Sequence, residues 1–221
     1  IEPGTVIVAL DASPQTLDPR FATGANAIHV LQLVCNGLYR LDATGTPVPD
    51  LAREGYFEGP RRFRVRLRED VRFHDGAPLR ATDVAATYAS VLDPEVGAIA
   101  GSDLAFVESV RAEGEFEVIF ELKEPFAPLL HKLAGVMILP AGVVSQAGSG
   151  ALDTPRCAGP FRLVAFERGE RILLEHHPGY FGGSPPSERI LLRVLPNSAT
   201  RLLELLKGSI HLVVNGVPPY A

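Results

Sequence analysis

Residues 61–94 constrain the fold more than any other stretch of the chain. Phe63, Val65 and Leu67 alternate with Arg62, Arg64 and Arg66, the period of a strand with one packed and one wet face. A charged turn follows at Glu69-Asp70, then Val71-Arg72-Phe73 and a tight turn at His74-Asp75-Gly76. From about Asp83, Val84, Tyr88, Val91 and Leu92 recur on one apolar helical face. The helix ends before Pro94, which cannot continue it. The arginines of the strand read as a solvated face, since they alternate with apolar residues and meet Glu69 and Asp70.

The ends of the chain follow a different pattern. Thr5–Leu10 is an unbroken apolar run, as in a strand covered on both faces. Residues 11–24 are rich in Asp, Pro, Ser, Thr and Gly and read as a loop at the carboxyl end of that strand. A helix is expected over about 25–36, and a short strand over Leu38–Leu41. Hairpins are expected around Glu58-Gly59-Pro60, Glu113-Gly114 and Arg168-Gly169. Pro125 is read as opening a helix through Leu133, and 145–158 as a loop. Ile190–Val194 is a strand, and Asn197 caps a helix that puts Leu202, Leu203, Leu205 and Leu206 toward the core. Gly208 stops that helix, and His211–Val214 forms the last strand. The fold class is therefore mixed α/β (α+β), with strand–helix–strand units at the ends and hairpins between.

Composition excludes several classes. The 221 residues are 46% hydrophobic and 21% charged, with a formal net charge of −5. An acidic balance without a basic run argues against nucleic acid as a partner. No apolar segment approaches the roughly 18–20 residues of a membrane span. The start Ile1-Glu2-Pro3-Gly4 is not a signal peptide, and a processed secreted protein would look the same. Cys35 and Cys157 form no metal motif. Sparse cysteines are usually buried thiols, so free thiols are expected, with a bridge across 122 positions left open. No nucleophile elbow, phosphate loop or H-E-x-x-H pattern occurs, so an enzyme is not expected. His74 and the pair His176-His177 lack the spacing of a helical zinc site and are read as structural, with no metal and no cofactor.

Several short segments occur in a telling order. They are Gln15-Thr16-Leu17-Asp18-Pro19, Asn36-Gly37-Leu38-Tyr39, Pro47–Ala52, the 61–94 unit, Ala158-Gly159-Pro160-Phe161 and Asn197–Arg201. Together they resemble the dipeptide/oligopeptide/nickel class, family 5, of ABC-transporter solute-binding proteins. The resemblance implies a type II periplasmic-binding-protein-like lobe. It assigns 1–37 and 155–215 to a core, 38–154 to an inserted subdomain, and 216–221 to the start of a crossover to a second lobe. It also implies a peptide or other small organic solute, ABC permease subunits as partners, and a monomer in the periplasm or outside the cell, with a lipid anchor left open. A solute-sensing domain of a regulator or receptor is the alternative use of such a fold. Where the family often caps the helix after the 61–94 strand with Ser or Thr, this chain has Arg80, so Thr82 or Asp83 is expected to serve.

Four stretches are candidates for the cleft. Thr16, Phe21 and Thr23 follow the first buried strand, and ligands of open α/β sheets sit beyond the carboxyl ends of strands. Gly135 and Met137 lie where the resemblance places ligand-facing residues, whereas Val136 and Ile138 read as core. A nickel-binding relative would carry an arginine in that region, and its lack here disfavours an anionic metal chelate. Ala158 and Gly159 form a third candidate, and Asn215 and Val217 a fourth at the crossover. His211 reads as a surface or hydrogen-bonded side chain.

Overall fold

Thr5–Leu10 forms β1, which has partners on both edges and cover on both faces. The structure, a computed structural model, describes residues 4–147, 152 and 154–215. The elements that follow are α1 (Ala25–Val34), β2 (Tyr39–Leu41), β3 (Pro47–Pro49), β4 (Ala52–Gly59), β5 (Arg62–Leu67) and α2 (Ala81–Leu92). After a 3-10 turn at Ile99–Leu104 come β6 (Val107–Glu113), β7 (Glu117–Leu122), α3 (Leu129–Leu133) and α4 (Ala141–Ala147). The last are β8 (Phe161–Glu167), β9 (Arg171–His176), β10 (Arg189–Val194), α5 (Ser198–Leu206) and β11 (Leu212–Val213).

The first sheet has the order β11-β1-β10-β9-β8. β1 runs parallel to β10 and β11, while β9 is antiparallel to both β10 and β8. Alternate residues of β1 enter different cores, which explains its unbroken apolar run. Val8 and Leu10 pack with Val30, Leu31 and Val34 of α1, and Ile7 and Ala9 pack with Ile210 on the other face. His211 binds the middle of β1 with its ring, Nδ1 accepting from the Ile7 N–H at 2.9 Å. That bond places the ring proton on Nε2.

The second sheet, β4-β5-β7-β6, is antiparallel throughout. Phe63, Val65 and Leu67 point inward and are at most 2% exposed. α2 covers that face, and Tyr88 meets Phe120 edge-on with ring centroids 4.9 Å apart. The opposite face is an ionic ladder: Arg64 binds Glu58, Glu113 and Glu117, and Arg66 binds Glu54 and Glu117. α2 starts at Ala81, ahead of the expected Asp83. Asp83 accepts from the Arg80 N–H at 2.8 Å and from the Ala141 N–H at 2.8 Å, so one carboxylate ties the starts of α2 and α4.

Three expectations need correction. Cys35 and Cys157 are not thiols but a disulfide with Cα atoms 4.8 Å apart. Their proximity comes from the packing of α1 on β8, a tertiary fact that spacing does not carry. α3 is a single turn beginning at Leu129, and α4 occupies residues read partly as loop. Finally, Leu203 and Leu206 are 55% and 75% exposed, because α5 lies over the rim of the sheet and turns Arg201 and Leu205 inward instead.

Candidate functional site

The loop from 11 to 24 leaves the carboxyl end of β1 and is held by one buried carboxylate. Asp18 is fully buried and accepts from the Arg20 N–H at 2.9 Å, from Arg20 Nη2 at 2.8 Å and from the Leu152 N–H at 2.8 Å. Arg20 in turn donates from Nη1 to Ser90 Oγ of α2 at 3.1 Å, and its carbonyl accepts from the Ile99 N–H at 2.9 Å. This pair therefore fastens the loop of the first sheet to the helix covering the second. A buried ion pair adds little net stability against an apolar replacement, but removing one partner is costly. Its effect here is to fix the position of residues 19–24.

That segment partitions two hollows. The first, of about 450 Å³, lies between Pro19 and Ala22 of the loop, Ile28 of α1, Ile99 of the 3-10 turn, and Gly135 and Met137. Its lining is mostly apolar. At its rim Lys132 Nζ pairs with Asp103 at 3.0 Å. Residues 135–138 enter this wall in alternation: Val136 and Ile138 are buried, whereas Gly135 is exposed and Met137 half-buried. Gly37 bridges Met137, and Thr87 exchanges hydrogen bonds with the backbone of Leu139 at 3.0 and 3.1 Å. A Cβ at Gly135 would meet only the Lys132 carbonyl, at 3.5 Å, so the glycine leaves room at the mouth without being required by its backbone.

The second hollow, of about 370 Å³, has Thr16, Phe21, Thr23 and Asn215 in its wall, together with Asp11 and Asn26. An amide chain crosses it. Asn26 Nδ2 donates to Asp11 at 2.9 Å and to the Ala12 carbonyl at 2.8 Å, while Asn26 Oδ1 accepts from Asn215 Nδ2 at 3.2 Å. The Asn26 hydrogen bond holds the Asp11 carboxyl below the usual carboxylate range, which leaves a fixed negative charge here at neutral pH. Asn215 has φ 61°, a left-handed conformation that asparagine tolerates better than most residues.

The structure thus gathers Thr16, Phe21, Thr23 and Asn215 around one hollow and Gly135 and Met137 around the other. Ala158 and Gly159 line neither hollow. Ala158 is 1% exposed, and a Cβ on Gly159 would lie 2.4 Å from Val34 backbone atoms, so the turn is used for close packing. Val217 lies outside the described residues. The wall also includes Ile28, Ile99, Asp11 and Asn26, which sequence reasoning missed. Ile99 is 48% exposed, yet a lone isoleucine after a proline-ended helix carries no periodic signal. Among the described residues no group of three or more His, Cys, Asp or Glu could hold a metal ion. No helix among them is long and apolar enough to cross a membrane.

Residues 46–221 match the bacterial extracellular solute-binding proteins, family 5, in the middle region of that family. The chain belongs to this family. Among curated family 5 relatives, it is 25% identical over 217 residues to the oligopeptide-binding protein AppA of Bacillus subtilis, covering 94% of this chain and 40% of AppA. It is 29% identical to the probable D,D-dipeptide-binding periplasmic protein DdpA of Escherichia coli, covering 94% of this chain and 42% of DdpA. The solved structure of B. subtilis AppA in complex with a nonapeptide superposes with a TM-score of 0.87 at 24% identity, over 93% of this chain and 43% of AppA. That superposition establishes a shared family 5 fold. The chain spans about two-fifths of the length of the curated relatives it matches.

Proposed function

We propose that this chain forms one wall of the solute cleft in the extracytoplasmic binding subunit of an ABC importer. The observation that carries this reading is the pair of hollows divided by residues 19–24, one walled by Ile28, Ile99 and Met137 and the other holding an ionised Asp11 beside Asn26 and Asn215. A peptide with a free ammonium group and an apolar side chain matches both, with Asp11 facing the ammonium and the Ile28–Ile99–Met137 wall facing the side chain. The naming of AppA and DdpA for peptides supports that solute class.

In this proposal residues 1–37 and 155–215 form the core of the lobe and 38–154 an inserted subdomain. A second lobe closes over the solute, and the closed form delivers it to a membrane permease. The subunit works as a monomer in the periplasm or at the outer cell surface. The test is a thermal-shift screen with di-, tri- and oligopeptides, nickel chelates and oligosaccharides, using the chain joined to its native continuation. Stabilisation by peptides bearing an apolar side chain supports the reading. Stabilisation by a chelate or a sugar alone, with none by peptides, overturns it.

A further inference from the structure

We infer that His74 and His177 form an acid-sensitive latch at the point where the chain returns from the second sheet to the first. The segment between Cys157 and Pro160 is gripped from two sides. The His74 N–H donates to the Cys157 carbonyl at 2.8 Å, and His74 Nε2 lies 3.2 Å from the Gly159 carbonyl. From the other side the His177 N–H donates to the Pro160 carbonyl at 2.8 Å. The two rings meet edge to face with centroids 5.0 Å apart. On a third side the Gly159 N–H donates to the Val34 carbonyl at 2.9 Å, against which Gly159 has no space to yield.

This arrangement suits two neutral imidazoles. His177 is 6% exposed, and its Nδ1 is buried without a hydrogen-bond partner. A protonated ring needs acceptors for two N–H groups, and the Gly159 carbonyl is the acceptor that bears on both rings. The charged groups around the pair mostly oppose a second cation. Arg162 of β8 repels both rings and His176 repels His177, while Asp75 favours the charged form of His74 alone. Arg162 is itself held by Glu175 at 2.6 Å.

Burial lowers both imidazoles below the ordinary histidine value, His74 to about 4. The sign follows from linkage. A histidine whose folded value is depressed contributes stability that is complete above its unfolded value of 6.5 and is lost as pH falls toward the folded value. The window for His74 therefore runs from 6.5 down to about 4. Within it, proton uptake favours forms in which the turn at His74–Gly76 has parted from residues 157–160, while the disulfide keeps the chain closed.

The test uses the whole chain and needs no solute. The imidazole Hε1 resonances of His74 and His177 are followed by NMR through the acid range. Thermal unfolding is compared at neutral pH and at about pH 4.5 for the unaltered chain, His74→Gln and His177→Gln. Both rings are expected to stay neutral to well below the ordinary histidine range, then to shift together with the amides of residues 157–160. In each variant the acid-induced fall in unfolding midpoint should be less than about half of that shown by the unaltered chain. Titration of both rings near the ordinary histidine value with the fold intact overturns the inference, as does an undiminished acid fall in both variants. Should the glutamine variants fail to fold, the titration of the unaltered chain decides alone.

Discussion

Cys35 and Cys157 are joined covalently across 122 positions, tying the end of α1 to the segment that enters β8. Closing so long a loop restricts the unfolded chain and contributes on the order of 2–4 kcal/mol. Reduction, or the paired change Cys35→Ala and Cys157→Ala, is expected to lower the calorimetric unfolding midpoint by several degrees. An unchanged midpoint after reduction verified by mass would show that the bond adds no stability.

Gly135 and Gly159 should respond oppositely to a side chain. Gly135 faces the apolar hollow with only the Lys132 carbonyl nearby, so Gly135→Leu should change stability by about 1 kcal/mol or less. It should weaken solute binding about tenfold or more by filling the hollow. Gly159→Ala places its methyl against Val34 backbone and should cost about 2 kcal/mol or more. Urea unfolding and titration calorimetry read the two effects separately. Equal destabilisation by both changes would contradict the assignment of Gly135 to an open wall.

Asp18 and Arg20 form an ion pair inside the protein, 2.8 Å apart. Asp18→Ala removes one member of this buried pair and the acceptor of the Leu152 N–H, an expected loss of about 3 kcal/mol. Chemical denaturation measures it. A loss below about 1 kcal/mol would mean that the loop is positioned by its backbone alone.

Asn26→Ala removes the main hydrogen bond that keeps the Asp11 carboxyl low. The Asp11 carboxyl should then titrate closer to the ordinary aspartate value, as followed by its 13Cγ shift. A depressed carboxyl contributes stability above the unfolded value and loses it in acid, so the variant should show a shallower loss at the acid end. If the Asp11 titration does not move, Asn26 is not what sets it.

The second sheet was legible because Phe63, Val65 and Leu67 of β5 are buried on one face, which writes a period of two into that strand; Val118, Phe120 and Leu122 keep the same period in β7, although Ile119 between them is buried as well. β1 was legible for the opposite reason, since both its faces are covered. Asn197 capped α5 as read, accepting from the Thr200 N–H at 3.0 Å. What escaped was whatever depends on distant segments meeting. The bond between Cys35 and Cys157, the burial of His177 against His74, and the union of Ile99 with Met137 each join residues tens of positions apart. The exposure of Leu203 and Leu206 escaped because four leucines in α5 look like one apolar face, while the helix buries only part of it. Within the candidate site, Gly135 and Met137 could be separated from Val136 and Ile138 by alternation, but nothing local distinguished Ala158 and Gly159 from surface residues.

The span between the two Cα atoms of the disulfide, 4.8 Å, is little more than the step between neighbouring residues, about 3.8 Å. The chain thus departs after α1 and comes back ahead of β8 at nearly the same point. Chain geometry alone would allow that whole excursion to be cut out and the gap sealed with a joint of one or two residues. Under the proposed division, the second sheet is an exchangeable cassette, and its part of the proposed cleft could be swapped without rethreading the scaffold that carries it.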